Sequence, residues 1–294
     1  MTRLRADDFD PEVLQLFDGY VHGRITRRDF LARAGRYAAG GATAATLLAQ
    51  LSPSFAAPVV APGDARLETG YREFPSPQGH GKLRGYLARP ARAAGALPAI
   101  LVAHENRGLN PHIEDVARRV ALAGYVAFAP DALFPLGGYP GDEDEARALF
   151  LRLDQVRTRA DFLAAAHLLA TLPQATGKVG VVGFCWGGGI ANYLATQWPD
   201  LGAAVPFYGA QPPAAEVATI RTPLMIHDAG RDERILAGWP AYEEALKAHR
   251  VPYRHVTYPG VEHGFHNDTT PRYDEAAARL AWERTMAFFK EKLA

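Results

Sequence analysis

The chain has 294 residues, 48% of them hydrophobic and 22% charged, an ordinary globular composition with ample apolar material for a core. Lysine plus arginine and aspartate plus glutamate each number 32, so no net field favours an anionic membrane, and without a basic, aromatic-interleaved patch nucleic-acid binding is set aside. The single cysteine excludes an internal disulfide and a cysteine-based zinc site.

Residues 1–58 do not read like the rest. Thr26-Arg27-Arg28-Asp29-Phe30-Leu31 is followed by a weakly apolar stretch rich in Ala, Gly and Thr, Tyr37–Leu51, and then by Ser54-Phe55-Ala56-Ala57. Paired arginines, Phe-Leu, a mild apolar stretch and a small-residue cleavage site resemble a twin-arginine export signal. The expectation is export to the periplasm, with this segment outside the fold. The alternative is a short amphipathic N-terminal helix left uncleaved in a cytoplasmic protein, and Asp7, Asp8, Asp10, Glu12 and Asp18 ahead of the arginines favour it. The apolar stretch is too short and Gly-rich for a stable membrane span, which needs about 20 apolar residues.

Residues 59–294 read as one catalytic domain. Arg66–Phe74 and Leu83–Arg89 are strands joined by a Pro/Gly turn. Ala99–His104 is a fully apolar run, as in a central strand buried on both faces. A helix over Asn110–Ala123, a strand over Tyr125–Pro130 and a long helical stretch over Asp142–Leu172, either whole or broken, follow. Beyond the next strand come strands at Gly202–Phe207 and Pro223–His227, a helix at Trp239–His249, a strand at Tyr253–Tyr258 and a last helix at Tyr273–Lys292. The alternation implies an α/β fold, a mostly parallel sheet with helices on both faces.

The most informative stretch is Lys178–Ile190, KVGVVGFCWGGGI. A strand runs into a sharp turn and then a helix, with Cys185 at the apex, the G-x-S-x-G nucleophile elbow with Cys in the Ser position. Gly183 and Gly187 let strand and helix pass closely, and the helix N-terminus favours a thiolate. A buried, inert cysteine is the bland alternative. A thiol nucleophile needs a base and an orienting acid, which in this arrangement follow it in the order acid, histidine. Asp232, after an apolar strand, fits the acid ahead of Asp228, which sits at the strand end itself. His263, after the last strand and between Gly260 and Gly264, fits the base ahead of His266. The backbone amides of Asn106, after the strand Ala99–His104, and of Trp186 are the expected oxyanion donors. No cofactor is called for. A metal site built from His104, Glu105, Asp232, His263 and His266 is disfavoured, because His-x-x-His within a Pro/Gly-rich loop is a weak ligand pattern.

Taken together, HENRG, GFCWGGG, AGRD and GVEHGFHNDTTPRYDEAAARLAWERT resemble the dienelactone hydrolase (carboxymethylenebutenolidase) family, from about Leu67 to the C-terminus. The resemblance implies an α/β-hydrolase fold and a triad of Cys185, Asp232 and His263. It also implies that Glu105 contacts the resting thiol and is displaced when substrate enters. The family's two substrate-binding arginines have no counterpart at His266-Asn267-Asp268 or in the stretch from Phe134 to Gly141. Phe134, Tyr139, Trp186, Tyr208 and Phe265 suggest an apolar, aromatic pocket instead. The expected activity is hydrolysis of a small ester or lactone through a covalent thioester. A hydrolase-fold protein that only binds a small ligand, and a thiol-based redox protein, are the readings from other classes; oligomeric state is not legible.

Overall fold

A computed structural model describes residues 4–38 and 43–294. Three short helices come first: α1 (Pro11–Val21), α2 (Arg27–Ala34) and α3 (Ala44–Leu51). Each begins at a side-chain cap, Asp10, Thr26 or Thr43, that accepts a backbone N–H of its own first turn. Phe9, Val13, Phe17, Tyr20, Phe30 and Leu51 form a small apolar cluster among them. The paired arginines open α2, where Thr26 and Asp29 exchange hydrogen bonds in a capping box. Residues 39–42 of the apolar stretch expected as part of an export signal lie outside the described residues. Among the described residues, no helix is long and apolar enough to cross a membrane.

The rest alternates: β1 (Leu67–Ser76), β2 (Gly81–Pro90), β3 (Leu97–Ala103), α4 (Pro111–Leu122), β4 (Val126–Pro130), α5 (Glu143–Phe150), α6 (Gln155–Thr171), β5 (Ala175–Phe184), α7 (Trp186–Gln197), β6 (Ala203–Phe207), α8 (Ala214–Val217), β7 (Leu224–Ala229), α9 (Glu233–Leu236), α10 (Trp239–Ala248), β8 (Tyr253–Tyr258) and α11 (Glu275–Leu293). Among the described residues, eight strands form one sheet in the order β1-β2-β4-β3-β5-β6-β7-β8, antiparallel at β1 and β2 and parallel from β4 onward. Side chains alternate along β3. Ile100 and Val102 join the core under α4 and α11, while Ala99, Leu101 and Ala103 join the core under α6, α7 and α10. Both faces are therefore buried, as continuous apolar strands require. The expected long helix is two, α5 and α6, because Asp154 caps a fresh start by accepting from Val156 and Arg157.

β3 and β5 are neighbours near the middle of the sheet. The loops leaving their C-terminal ends, with those after β7 and β8, meet at one edge. That edge is where an open parallel sheet presents a crevice.

Candidate active site

Cys185 sits at the apex between β5 and α7 with φ 55° and ψ −113°, a backbone conformation that a non-glycine residue adopts only under tertiary constraint. Its N–H donates to the Phe207 carbonyl at 3.1 Å, and its carbonyl accepts from Gly188 and Gly189. A Cβ on Gly183 would lie 1.8 Å from the Gly187 oxygen, and one on Gly187 would lie 2.2 Å from the Ala103 oxygen. Glycine at both positions is a packing requirement of the close strand–helix approach. The turn aims the N-terminus of α7 at the thiol, and the Trp186 N–H, first in that helix, has no carbonyl four residues back to meet.

The loops after β7 and β8 are tied together by Gly230 N–H to Tyr258 O and Arg231 N–H to Val261 O. Asp232 leaves β7 as the cap of α9 and receives His263 Nδ1 at 2.5 Å. Both are buried, and the imidazole packs on the Tyr208 ring with centroids 4.9 Å apart. The competitors are occupied elsewhere. Asp228 meets His255 at 2.9 Å, and His266 is stacked on Phe184, where burial pushes its pKa down to about 3.

A third group reaches the sulfur from the segment that sequence patterning set apart. His22, following α1, places Nε2 3.5 Å from Cys185 Sγ, and its ring meets that of His263 edge-on at 4.8 Å. Its Nδ1 is 3.0 Å from Asp18 Oδ1 and 2.8 Å from the Asp18 carbonyl, so α1 presents an acid and an imidazole one turn apart. The segment is anchored on all sides of the cleft. Val21 O accepts from Asn106 Nδ2 at 2.8 Å, Arg27 reaches Asp144 at 3.0 Å, Arg147 covers the Tyr20 ring at 4.4 Å, and Val59 and Val60 N–H donate to the buried Asp115.

Burial pushes the Cys185 thiol up, but the charge of His263 and the hydrogen bond from His22 outweigh it and bring its pKa down. Burial pushes His263 down, but the thiolate and Asp232 raise it well above an ordinary imidazole. His22 is likewise raised, Asp18 and Cys185 overcoming its burial. Opposite shifts on sulfur and imidazole describe a thiolate–imidazolium pair that titrates as a unit.

A cavity of about 260 Å³ opens on the sulfur, lined among others by His22, Asn106, Arg147, Trp186, Tyr208 and Arg234. Several expectations are corrected here. Phe134, Tyr139 and Phe265 do not line it: Phe134 packs under Arg84, Tyr139 bonds Glu143, and Phe265 is wholly buried among core rings. The pocket is also not free of arginine, since α5 and α9 bring Arg147 and Arg234 to it. Glu105, expected against the resting thiol, accepts instead from Asn267 Nδ2 at 2.8 Å, and the groups at Sγ are His22, at 3.5 Å, and His263. The residues considered for a metal do not assemble, because His104 accepts the Ala132 N–H and stacks on Trp186. Among the described residues, the donors that converge closely enough to hold an ion are those of His22, Cys185 and His263, all within 4.8 Å of one another.

The family model described as "Dienelactone hydrolase family" matches residues 83–293. The chain belongs to the dienelactone hydrolase family. It is a hydrolase acting on ester or lactone bonds, with the α/β-hydrolase fold of its neighbours. A "Putative carboxymethylenebutenolidase" of Salmonella typhi is 32% identical over 243 residues, 78% of this chain and 89% of the relative. The crystal structure of a "Putative Dienelactone Hydrolase" from Klebsiella pneumoniae superposes with a TM-score of 0.67 at 29% identity, covering 76% of this chain and 99% of the other. A shorter relative, "Putative hydrolase fragment YghX" of Escherichia coli, is 53% identical over 113 residues, 38% of this chain and 97% of its own. Residues 1–39 match a separate family model, "YqhI-like".

Sequence patterning missed Asp18, His22, Arg147 and Arg234. The first two carried a usable signal: an aspartate and a histidine at i and i+4 behind an Asp-Pro helix start.

Proposed function

We propose that this member of the dienelactone hydrolase family cleaves small carboxylic esters or lactones with a Cys185–Asp232–His263 triad and a covalent thioester. The observation that carries the reading is the buried His263–Asp232 pair beside a lowered thiol held in the strained elbow. Cys185 attacks the carbonyl as thiolate, and the carbonyl electrons move to oxygen, which the Trp186 and Asn106 backbone N–H groups receive. Collapse of the adduct breaks the C–O bond, and the alkoxide leaves with a proton from imidazolium. Water, giving its proton to His263, then attacks the thioester, releasing the acid and restoring the thiolate. Asp232 holds the histidine in the tautomer that keeps Nε2 available.

Arg147 and Arg234 at the cavity favour a substrate with an anionic group beside its ester or lactone. The cavity volume suits a small molecule rather than a long acyl chain. Cys185→Ala should lower hydrolysis of p-nitrophenyl acetate at least about a thousand-fold, as expected for removal of a covalent nucleophile. The wild type should show a burst equal to the enzyme concentration, and hydrolysis persisting in Cys185→Ala would overturn the assignment. The export reading of residues 1–58 enters here only as a proposal of compartment, and a fractionation of the producing cell tests it.

A further inference from the structure

We infer that His22, held by Asp18, is a further catalytic residue: it takes the proton of Cys185 in the substrate-free enzyme and gives it to the leaving alkoxide. The inference rests on the thiol-nucleophile reading above and divides its labour between two imidazoles.

Three independent features support it. First, His22 Nε2 stands 3.5 Å from the sulfur, so the thiol has a second imidazole on it beside His263, the ligand atoms of all three lying within 4.8 Å of one another. With two imidazoles on one sulfur, one can handle the thiol proton while the other serves the water of deacylation. Second, His22 is oriented as a catalytic base must be. Asp18 takes the Nδ1–H and leaves Nε2 as the basic edge, the same relation that Asp232 has to His263. Third, the carboxylate behind it is itself built in. Asp18 is paired with Arg24 and faces Arg272, whose guanidinium packs on Phe17 of the same helix at 5.2 Å. His22 and Asp18 therefore belong to a docked, apolar-anchored helix, not to a passing loop.

The proton and electron count closes. The Sγ–H bond breaks and an Nε2–H bond forms on His22, giving thiolate and imidazolium. The thiolate forms the S–C bond, the tetrahedral adduct expels the alkoxide, and the alkoxide takes the His22 proton. Deacylation then runs through His263: it removes a proton from water, hydroxide displaces the sulfur, and the thiolate regains a proton to reset the pair. The charged and titratable groups facing His22 are Cys185, His263, Arg234 at 3.3 Å, and Asp18 with Arg24 and Arg272 behind it. The inference requires that residues 1–58 stay attached in the working enzyme.

The test uses the full chain with His22→Gln and Asp18→Asn, following the p-nitrophenyl acetate burst and iodoacetamide alkylation of Cys185 from pH 5 to 9. In His22→Gln the burst rate constant should fall about 100-fold, the low end for a positioned general base, while the later turnover falls much less, so the burst disappears. Alkylation at pH 7 should slow in parallel and its profile should move to higher pH. Asp18→Asn keeps the imidazole and should give an intermediate burst rate, which guards against a His22 variant that merely misfolds. A burst rate and alkylation profile like the wild type in His22→Gln, with unchanged circular dichroism, would overturn the inference while leaving Cys185 in place. Full hydrolysis in Cys185→Ala would sink the parent reading instead.

Discussion

At the scale of single residues, the chemistry depends on a thiol that burial alone would make inert. Two imidazoles reverse the sign of the environment, and the consequence is measurable without substrate. The thiol is brought down to about 6, so alkylation should stay rapid down to near that pH, against an unperturbed cysteine near 8.5. Asp232→Asn should retain the fold and lower kcat by about 10³–10⁴-fold, because the wrong imidazole tautomer would face the sulfur. Arg234 is exposed, so its charge is screened; Arg234→Gln should raise KM two- to fivefold for an anionic ester and leave a neutral isostere unchanged, from roughly 0.5–1 kcal/mol for a solvent-screened ion pair. The positions of Cys185, Asp232 and His263 were readable because each follows a strand that announces itself as an apolar run. Phe134, Tyr139 and Phe265 were not readable as core or shoulder residues, since a ring's identity says nothing about which side of a loop it faces. Arg147 and Arg234 reach the cavity through the placement of α5 and α9, which spacing along the chain does not encode.

At the scale of elements, the unusual part is α1 to α3. Their cluster is small, and the helices are short enough that none would persist alone in water. Their order comes from docking. Phe30, wholly buried in that cluster, anchors α2 against α1, and Phe30→Ala should cost about 3–5 kcal/mol there. The expected outcome is selective: limited proteolysis cuts residues 1–58 quickly while the α/β domain resists, and the burst rate falls with the cap. The strands and longer helices from Arg66 onward were legible because buried strands are continuous apolar runs and helix starts carry caps such as Asn110 and Asp274, whereas the break at the Asp154 cap and the one-turn helices α8 and α9 were not resolved. Sequence reading did not show that Thr26–Leu31 opens a docked helix, α2. A capping box beginning Thr-Arg-Arg-Asp, followed by an anchoring Phe, has the same letters as an export motif, and the letters alone do not show the tertiary contacts that Phe30 makes.

Across the whole molecule, the sheet class followed from the alternation of strands and helices, whereas the closure of the cleft by the N-terminal segment did not. The loop bearing His263 is pinned to α4 through Asp268, which meets His112 at 3.2 Å and also pairs with Arg119. Burial pushes the Asp268 carboxyl up, but those two partners hold it well below the usual carboxylate range. A depressed carboxylate adds stability that is fully present above its unfolded pKa of about 4 and is lost as pH falls through the folded value. Asp268→Asn should therefore lower Tm at pH 7 by more than at pH 3, and the two proteins should converge only at a pH below the depressed folded value. The sulfur's contact with His22 has a temporal consequence as well. These residues lie 163 positions apart, and Arg234, 212 positions after His22, meets the same imidazole. The surface that α1 and His22 meet is therefore complete only once the last third of the chain is in place. Contacts so distant in sequence form late, so in refolding the helical signal should recover first and the burst afterwards, with the waiting N-terminal helices open to proteases in between.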